Sequence, residues 1–198
     1  MTASALTTDH SGLHRFLAGK DIFITGACGT VGRALLNRLI GSDANSITGT
    51  DHNEGTLFEL SEQITDPRVR LLLGDVQDRE QLRERLSGID LLIHTAAFKH
   101  VGTCERSPRD AVSVNVLGTQ NLIDAARGAG VTRVVFTSSD KAVNPTSVMG
   151  TSKLLSERLM AAAAEISSRQ GPVFTTTRFG NVLGSSGSVV RVFERQIA

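Results

Sequence analysis

Three evenly spaced glycines follow a short apolar segment near the start of the chain. Gly26, Gly29 and Gly32 come just after residues 22–24, and a run with apolar residues at helical spacing follows them. A strand, a glycine turn and a helix N-terminus form a site for a diphosphate, because glycine lets the backbone approach and free N–H groups favour negative charge. The spacing is Gly-x-x-Gly-x-x-Gly, and an ordinary turn is the alternative interpretation. The predicted binding residues of this turn are Gly26, Cys28, Gly29, Thr30, Val31 and Gly32.

An acidic residue stands where a bound dinucleotide would place its ribose. Asp51 ends the second predicted strand, 19 residues after Gly32, and its carboxylate suits ribose hydroxyls. A carboxylate there repels a 2′-phosphate, so the residue favours NAD over NADP. His52 argues weakly the other way, because an imidazolium tolerates phosphate. A helix-capping aspartate is the simpler alternative.

Two further strand ends carry residues that suit the same ligand. Asp75 and Val76 follow the third predicted strand, where an adenine could be held, although a turn aspartate explains them nearly as well. Ala96 and Ala97 follow the fourth strand, and their small side chains would let a cofactor pass close to the backbone. These four residues complete the adenosine side of the predicted site.

A carboxyl group and an amine stand side by side after the fifth predicted strand. Asp140 and Lys141 follow Ser139, and Lys153 comes twelve residues later on a predicted helix. Such groups can exchange protons with a substrate, but a lysine works as a base only when its pKa is lowered by desolvation or by a nearby cation. Lys153 is a candidate for that second cation. Alternatively, Asp140 caps a turn and Lys141 is solvated.

These residues need a scaffold that brings strand ends together. Short apolar segments alternate with helical patterns, which predicts an α/β protein with a Rossmann-type doubly wound parallel sheet covered on both faces. The predicted strands are 22–24, 46–50, 69–73, 89–93, 134–137 and 173–177, and the main predicted helices are 54–64, 79–86, 108–127 and 149–167, with a short one around 13–17. Asp78 is the predicted cap of the helix that ends at residue 86.

Composition excludes several classes of protein. The chain has 198 residues, a net charge of +1, 40% apolar and 21% charged residues, which fits a soluble globular domain and gives no electrostatic case for nucleic acid. No apolar run approaches the ~20 residues that span a bilayer, so no membrane partner is expected. Cys28 and Cys104 form no metal spacing and favour a reducing, cytoplasmic setting. No metal site is predicted.

The motifs resemble a known family. TGACGTVG, GDV, HTAAFKHV, NVLGTQNLIDAA, TSSDKAVNPTSVMGTSK and RFGNVLGSSGSVV are similar to the extended short-chain dehydrogenase/reductase superfamily. Within it they resemble the nucleotide-sugar 4,6-dehydratases of capsule and flagellin-glycan biosynthesis. The resemblance implies NAD(P) binding, a UDP-N-acetylhexosamine substrate and an internal cycle in which the cofactor takes and returns a hydride. UDP-N-acetylglucosamine is the substrate we expect.

The resemblance also implies roles for individual residues. Asp140 is the acid that assists water loss, and Lys141 is the base at carbon 5 of the sugar. Lys153 binds the nicotinamide ribose, and Asn115 supports that lysine. Lys99 is expected near the cofactor and the sugar. The expected substrate-binding residues are Lys99, His100, Arg178, Gly180 and Asn181.

Met149 departs from the superfamily's pattern. The superfamily places a tyrosine four residues before its lysine, and this chain contains no tyrosine. A thioether cannot carry a proton, so another group must deprotonate the sugar hydroxyl at carbon 4. Ser139, Lys153 or a water between them are the candidates. Some members of the dehydratase branch carry methionine at this position, so the departure narrows the subfamily.

The length of the chain is a second departure. Members of the family continue well beyond the sixth strand, so we expect a truncated sequence whose C-terminal substrate domain is largely missing. Residues 1–19 form a polar lead-in and residues 20–198 the NAD(P)-binding domain, with 178–198 the start of the substrate-binding part. A homo-oligomer is expected, because exposed apolar surface invites association. A nucleotide-sugar 4-epimerase and a cofactor-binding module without turnover are the alternative functions.

Overall fold

Six parallel strands lie side by side in one sheet in the computed structural model of the protein, which describes residues 10–167, 171–182, 185, 193 and 196–197. The strands are β1 (Asp21–Thr25), β2 (Ser46–Asp51), β3 (Val69–Leu73), β4 (Leu91–His94), β5 (Arg133–Ser139) and β6 (Val173–Phe179). Their order is β3-β2-β1-β4-β5-β6, so the winding reverses between β1 and β4. A ligand of such a sheet binds at this switch point, outside the carboxyl ends of the strands. The predicted doubly wound parallel sheet is confirmed.

Helices connect the strands and cover both faces of the sheet. They are α1 (His10–Leu17), α2 (Thr30–Ile40), α3 (Glu54–Ser61), α4 (Arg79–Arg85), α5 (Val101–Arg106), α6 (Pro108–Ala111), α7 (Gly118–Ala129) and α8 (Val148–Ser167). A π-helical segment (Val112–Leu117) joins α6 to α7, and a 3₁₀ turn (Asp140–Ala142) follows β5. Asp78 accepts a hydrogen bond from the backbone N–H of Gln81 at 3.0 Å, so it caps α4 as predicted.

The sheet separates two hydrophobic clusters. Successive side chains of a strand point to opposite faces, so the apolar run of β1 supplies both clusters. Phe23 packs on one face with Leu122 of α7 and Phe136 of β5. Ile22 and Ile24 pack on the other face, with residues of α1, α2 and α3. Burial on both faces explains why β1 is a continuous apolar run in the sequence instead of an alternation of apolar and polar residues.

The helix predicted over residues 108–127 is not continuous, which is a correction. It consists of α6, the π-helical segment and α7, and it extends to Ala129. The π segment contains Asn115, whose side chain hydrogen-bonds the backbone of Phe98 across the fold. A π segment inside a helix is frequent at functional sites. The apolar spacing of the sequence does not reveal it, because the tertiary partner of Asn115 is distant along the chain.

Other boundaries also differ from the prediction. β5 and β6 run on to Ser139 and Phe179, because residues 137–139 of one pair with 177–179 of the other. Arg178 therefore lies inside a strand instead of after it. α3 ends at Ser61, three residues before the predicted end. The Ser61 hydroxyl donates to the Phe58 carbonyl oxygen at 2.7 Å. α5 forms between the predicted strand 89–93 and the helix predicted from residue 108, where the sequence predicts no helix.

The predicted domain limits fall partly outside the described residues. α1 matches the helix predicted around residues 13–17, whereas residues 1–9 of the predicted lead-in lie outside the description. The segment predicted to start the substrate-binding part, 178–198, is described only at residues 178–182, 185, 193 and 196–197. The structure thus describes mainly the segment that is predicted to bind the cofactor.

Candidate functional site

Each of the three positions in the turn is glycine for a different structural reason. Gly26 has a φ of +72°, and a Cβ atom there would lie 2.7 Å from the backbone nitrogen of Ala96. A Cβ atom at Gly32 would overlap the carbonyl oxygen of Gly26. At Gly29 a Cβ atom would meet only that carbonyl oxygen, at 3.2 Å. Gly26 and Gly32 therefore serve the fold, whereas Gly29 leaves open the space in front of the turn.

The N-terminus of α2 opens onto the same space. Gly29 is its N-cap, and no side chain caps the helix. Thr30 and Val31 are its first two residues, so their backbone N–H groups are free of intrahelical partners. Unsatisfied N–H groups and the helix dipole favour a negatively charged ligand. This geometry is the one expected of a diphosphate site.

Asp51 is buried, and its carboxylate holds the glycine turn. Its side chain is 9% exposed. One oxygen accepts a hydrogen bond from the backbone N–H of Cys28 at 3.0 Å, and the other accepts from that of Asn53 at 3.1 Å. His52 lies 3.5 Å away with a side chain 64% exposed. The carboxylate is therefore fixed between the turn and the end of β2, where the sequence predicts the ribose.

The other predicted adenosine residues follow β3 and β4. Asp75 accepts hydrogen bonds from the backbone N–H of Gln77 at 2.9 Å and from its side-chain amide at 3.1 Å, which is typical of a turn aspartate. The side chain of Val76 belongs to the hydrophobic core. Ala96 and Ala97 are half-buried beside the turn. Their binding roles stay predictions.

Lys153 is almost completely buried at the carboxyl end of β5. It is 6% exposed, its Nζ donates to the Thr137 carbonyl oxygen at 2.8 Å, and the ammonium lies 4.5 Å from the centre of the Phe136 ring. Burial lowers the pKa of Lys153 to about 8, against a smaller opposing effect of Glu157. At pH 7 the amine is therefore still mostly protonated, but its neutral form is much more accessible than that of an ordinary lysine.

Asn115 holds the start of α8 against the loop after β4. Its Oδ1 accepts from the Phe98 N–H at 2.8 Å, and its Nδ2 donates to the Phe98 carbonyl oxygen at 3.0 Å. The same Nδ2 donates to Ser152 Oγ at 2.8 Å, one residue before Lys153. The geometry is consistent with the predicted supporting role of Asn115, through direct contacts to the neighbouring residue.

Met149 lies one helical turn before Lys153 and is 3% exposed. It packs in a small hydrophobic cluster with Cys104 and Ala111, and with Phe98 and Val148 beside them. The position that carries a phenol elsewhere in the superfamily is thus filled by an apolar side chain in an apolar surrounding. It offers no proton acceptor.

Asp140, Lys141 and Asn181 come together at the ends of β5 and β6. Asp140 Oδ1 accepts from the Ser139 hydroxyl at 3.0 Å and from Lys141 Nζ at 3.2 Å. These two bonds, the hydroxyl first, hold the pKa of Asp140 below its usual value. Lys141 Nζ also donates to Asn181 Oδ1 at 3.2 Å. The predicted acid, base and substrate-side amide therefore form one exposed cluster.

The other predicted substrate-binding residues lie on β6, directly after it, and in the segment between β4 and α5. Arg178 forms a two-pronged ion pair with Glu157 of α8, at 2.8 and 2.6 Å, and that guanidinium lowers the pKa of the glutamate. Lys99 and His100 are exposed, and His100 is the N-cap of α5. Gly180 is exposed after β6. Their contacts with a substrate stay predictions.

Sequence reasoning missed three residues that shape the site. Gly150 lies so close to the Lys141 carbonyl oxygen that a Cβ atom would overlap it. Glu157 fixes Arg178 to α8. His94, at the end of β4, is buried between Thr25 and Thr119. Of the three, only Glu157 has a signal in the sequence: it lies four residues after Lys153, and residues at this spacing share a helix face.

The order of the sheet, the glycine turn before α2 and the lysine of α8 define a Rossmann-type α/β protein. The polysaccharide biosynthesis protein family model matches residues 22–198. Because this match covers most of the chain, the protein belongs to that family. The described residues contain no helix long and apolar enough to cross a membrane.

Curated relatives carry several names. An uncharacterized membrane protein of Methanocaldococcus jannaschii, MJ1061, is 40% identical over 93% of this chain and 56% of its own length. A UDP-N-acetylglucosamine 4,6-dehydratase (inverting) of Campylobacter jejuni is 39% identical, over 91% and 54%. A UDP-glucose 4-epimerase of Rickettsia canadensis is 39% identical, over 90% and 53%. The chain therefore spans about half the length of the curated relatives it matches.

Solved structures share the fold. The X-ray structure of Pen from Bacillus thuringiensis has a TM-score of 0.89 and 38% identity, over 92% of this chain and 57% of its own. The dTDP-glucose 4,6-dehydratase DesIV from Streptomyces venezuelae, with NAD bound, has a TM-score of 0.71 and 26% identity, over 80% and 55%. The chain is thus similar to enzymes that modify nucleotide sugars.

Proposed function

We propose that this chain carries the cofactor-binding and proton-transfer parts of a nucleotide-sugar 4,6-dehydratase in surface polysaccharide biosynthesis. The substrate is UDP-N-acetylglucosamine or a similar UDP-sugar. The observation that carries the proposal is the cluster of Asp140, Lys141 and Asn181 at the carboxyl edge of the sheet. A carboxyl group and an amine that touch each other are the pair that an elimination of water requires. The Campylobacter relative named as a dehydratase supports it.

The residues present fit NAD. The open N-terminus of α2 and the space in front of Gly29 suit the diphosphate, and the fixed carboxylate of Asp51 suits the adenosine ribose. Lys153 is the residue we assign to the nicotinamide ribose, which needs only its N–H donors. When bound, NAD would take a hydride from carbon 4 of the sugar and return it at carbon 6. The NAD complex of the related dehydratase structure supports the choice of cofactor.

Asp140 must gain a proton before it can act as an acid. Its lowered pKa means that the carboxylate is ionised at neutral pH. Oxidation of the carbon 4 hydroxyl releases one proton, and the Ser139 hydroxyl already donates to the carboxylate at 3.0 Å. Ser139 can therefore pass that proton to Asp140, which then delivers it to the hydroxyl that leaves carbon 6. Lys153, with a pKa of about 8, is the other acceptor for the first proton.

Lys141 is the base at carbon 5 in this proposal. Its Nζ lies 3.2 Å from Asp140 Oδ1, so the proposed base and the proposed acid are in direct contact. The proton that Lys141 takes from carbon 5 is returned at the same carbon when the hydride arrives at carbon 6. The proton of the carbon 4 hydroxyl thus leaves in the water, and the proton of carbon 5 returns to carbon 5, so both protons are accounted for.

A 4-epimerase is the second candidate, because a relative named as an epimerase is as similar as the dehydratase. Epimerisation leaves the mass of the nucleotide sugar unchanged, whereas dehydration removes one water. We would incubate the protein with NAD and UDP-N-acetylglucosamine and analyse the products by mass spectrometry and chromatography. Loss of water supports the dehydratase, and a new isomer of equal mass supports the epimerase. If neither product forms while calorimetry shows NAD binding, the chain is a cofactor-binding module by itself.

Asp140→Asn is the matched control for that experiment. It removes the proton-carrying oxygen but leaves the shape of the turn. The dehydratase proposal expects NAD binding to stay and water loss to stop. The predicted homo-oligomer can be checked on the same sample by light scattering.

A further inference from the structure

One buried histidine has no role in the chemistry proposed above. His94 is the last residue of β4, is 1% exposed, and belongs to the HTAAFKHV motif. Its Nδ1 lies 2.7 Å from Thr25 Oγ1 and its Nε2 lies 3.2 Å from Thr119 Oγ1. Burial, and to a smaller extent the charge of Lys153, lowers the pKa of His94 to about 3. The imidazole is therefore neutral, with one N–H donor and one acceptor.

The hydrogen bonds of Thr119 determine which nitrogen carries the proton. Thr119 Oγ1 lies 2.6 Å from the carbonyl oxygen of Asn115, and only the threonine hydroxyl can supply a proton between those two oxygens. That hydroxyl has a single proton, so its contact with His94 requires an N–H on Nε2. Nδ1 is then the acceptor of the Thr25 hydroxyl. Thr25 Oγ1 in turn accepts the backbone N–H of Ala96 at 3.4 Å.

The chain of bonds has one direction and joins the two halves of the site. It starts at Thr25, directly before the glycine turn, passes through His94 and Thr119, and reaches the carbonyl oxygen of Asn115 in the π segment. The side chain of Asn115 then donates to Ser152 on α8. Thr25 and Thr119 are fully buried, so no water competes for these bonds. Loss of the His94 ring would leave the buried Thr25 hydroxyl without its acceptor, whereas the Asn115 carbonyl oxygen would keep a second donor, Ser156 Oγ at 2.7 Å.

We propose that His94, as the Nε2–H tautomer, is a positioning residue that fixes the Asn115 segment and through it the helix of Lys153. The consequence for catalysis rests on the proposed function, whereas the positioning itself does not. The Nε2 arm carries the effect, because it leads to Asn115. The Nδ1 arm ties the same ring to the end of β1.

The first test measures the tautomer of His94 in the unmodified protein. In protein labelled with ¹⁵N-histidine, the ring-nitrogen shifts and couplings of His94 should show the Nε2–H tautomer, and the resonance should not titrate between about pH 5 and pH 8, where ordinary histidines do. An Nδ1–H tautomer, or a titration within that range, would overturn the proposal.

The second test separates the two arms with paired substitutions. Asparagine places an oxygen near the position of Nδ1, and glutamine places an amide near that of Nε2. His94→Asn and Thr119→Val should break the link to Asn115, whereas His94→Gln and Thr119→Ser should preserve it. The readouts are hydrogen exchange of the Asn115 side-chain amide and the ¹³Cε titration of Lys153 in lysine-labelled protein.

We expect exchange at Asn115 to accelerate at least ~10-fold in His94→Asn and Thr119→Val, because opening of the segment controls it. The Lys153 titration midpoint should shift by at least about half a pH unit in the same two variants. His94→Gln and Thr119→Ser should stay close to the parent at similar melting temperatures. Equal behaviour of all four variants would overturn the proposal. No substrate or turnover enters the measurement, so its failure is distinct from failure of the proposed function.

Discussion

Gly150 packs against the carbonyl oxygen of Lys141 with no room for a side chain between them. This contact presses the first turn of α8 onto the 3₁₀ turn that carries Asp140 and Lys141. The backbone of the turn that carries Asp140 and Lys141 is therefore held directly against the helix that carries Lys153. A glycine in the first turn of a helix is unfavourable by itself, so its presence reflects this packing.

Gly150→Ala should displace the Asp140–Lys141 turn. The added methyl group cannot be accommodated by a side-chain movement, because the atom it meets is backbone. We expect water loss to fall at least ~100-fold, the typical contribution of a misplaced acid or base, while NAD affinity changes little. Kinetics and calorimetry measure the two effects. Gly128→Ala in α7, which has nothing within 4 Å, is the control and should leave both unchanged.

Gly29→Ala and Gly32→Ala should separate ligand binding from folding. The methyl group of Gly29→Ala would meet only the Gly26 carbonyl oxygen, at 3.2 Å, so the melting temperature should fall much less than in Gly32→Ala, whereas NAD affinity should fall at least ~10-fold. Gly32→Ala overlaps the Gly26 carbonyl oxygen and should lower the melting temperature. Calorimetry with NAD and thermal unfolding of both variants check this. If Gly29→Ala binds NAD as the parent does, the diphosphate does not lie in front of Gly29.

The sequence predicts the sheet and the glycine turn because both depend on local signals. Apolar segments buried on two faces and a strand–glycine–helix sequence are visible without any long-range contact. The contacts of the residues that sequence reasoning missed are separated along the chain: Gly150 meets Lys141 nine positions earlier, and His94 contacts Thr119 and Thr25 at separations of 25 and 69. Asn115 contacts Phe98 and Ser152 at separations of 17 and 37. No periodicity reports such a contact. Met149 was expected to matter as a missing base, and its apolar cluster with Cys104 became visible only in the structure.

The protein should bind NAD more tightly than NADP. The Asp51 carboxylate is buried and fixed by two backbone N–H groups, so it cannot move away from a 2′-phosphate. Asp51→Ala removes the repulsion but also the acceptor of the Cys28 and Asn53 N–H groups. NAD affinity should therefore fall, and the preference for NAD over NADP should become smaller. Titration calorimetry with both cofactors measures this. Equal affinities in the unmodified protein would contradict the assignment of Asp51.

Asp140→Asn and Lys141→Ala should stop water loss and spare NAD binding. Lys141 donates to Asn181 and to Asp140 at the carboxyl edge of the sheet, after β5, whereas the glycine turn follows β1. General acids and bases contribute about 100- to 10,000-fold to rate, so activity should fall by that range. Kinetics of water loss and calorimetry with NAD provide the two readouts. A loss of NAD affinity in either variant would mean that the pair is structural.

Lys153→Met should stabilise the protein at neutral pH. The pKa of Lys153 is lowered from 10.5 to about 8 by burial, so between those values the unfolded chain binds more protons than the folded one. The parent's stability therefore rises with pH across this window, and the full cost of the buried charge is present below pH 8. Removing the charge should raise the free energy of unfolding by about 1–3 kcal/mol at pH 7, once the lost hydrogen bond to the Thr137 carbonyl oxygen is subtracted.

The gain from Lys153→Met should shrink as the pH rises towards 10.5, where the parent's lysine is neutral in both states. Denaturant unfolding of parent and variant at several pH values measures this slope. Lys20→Met is the control, because Lys20 has a side chain 37% exposed and pairs with Asp90 at 3.4 Å, so its removal changes stability little at any pH. A Lys153→Met variant that is less stable than the parent by the same amount at every pH would show that the amine is held for its hydrogen bond and carries no buried-charge penalty.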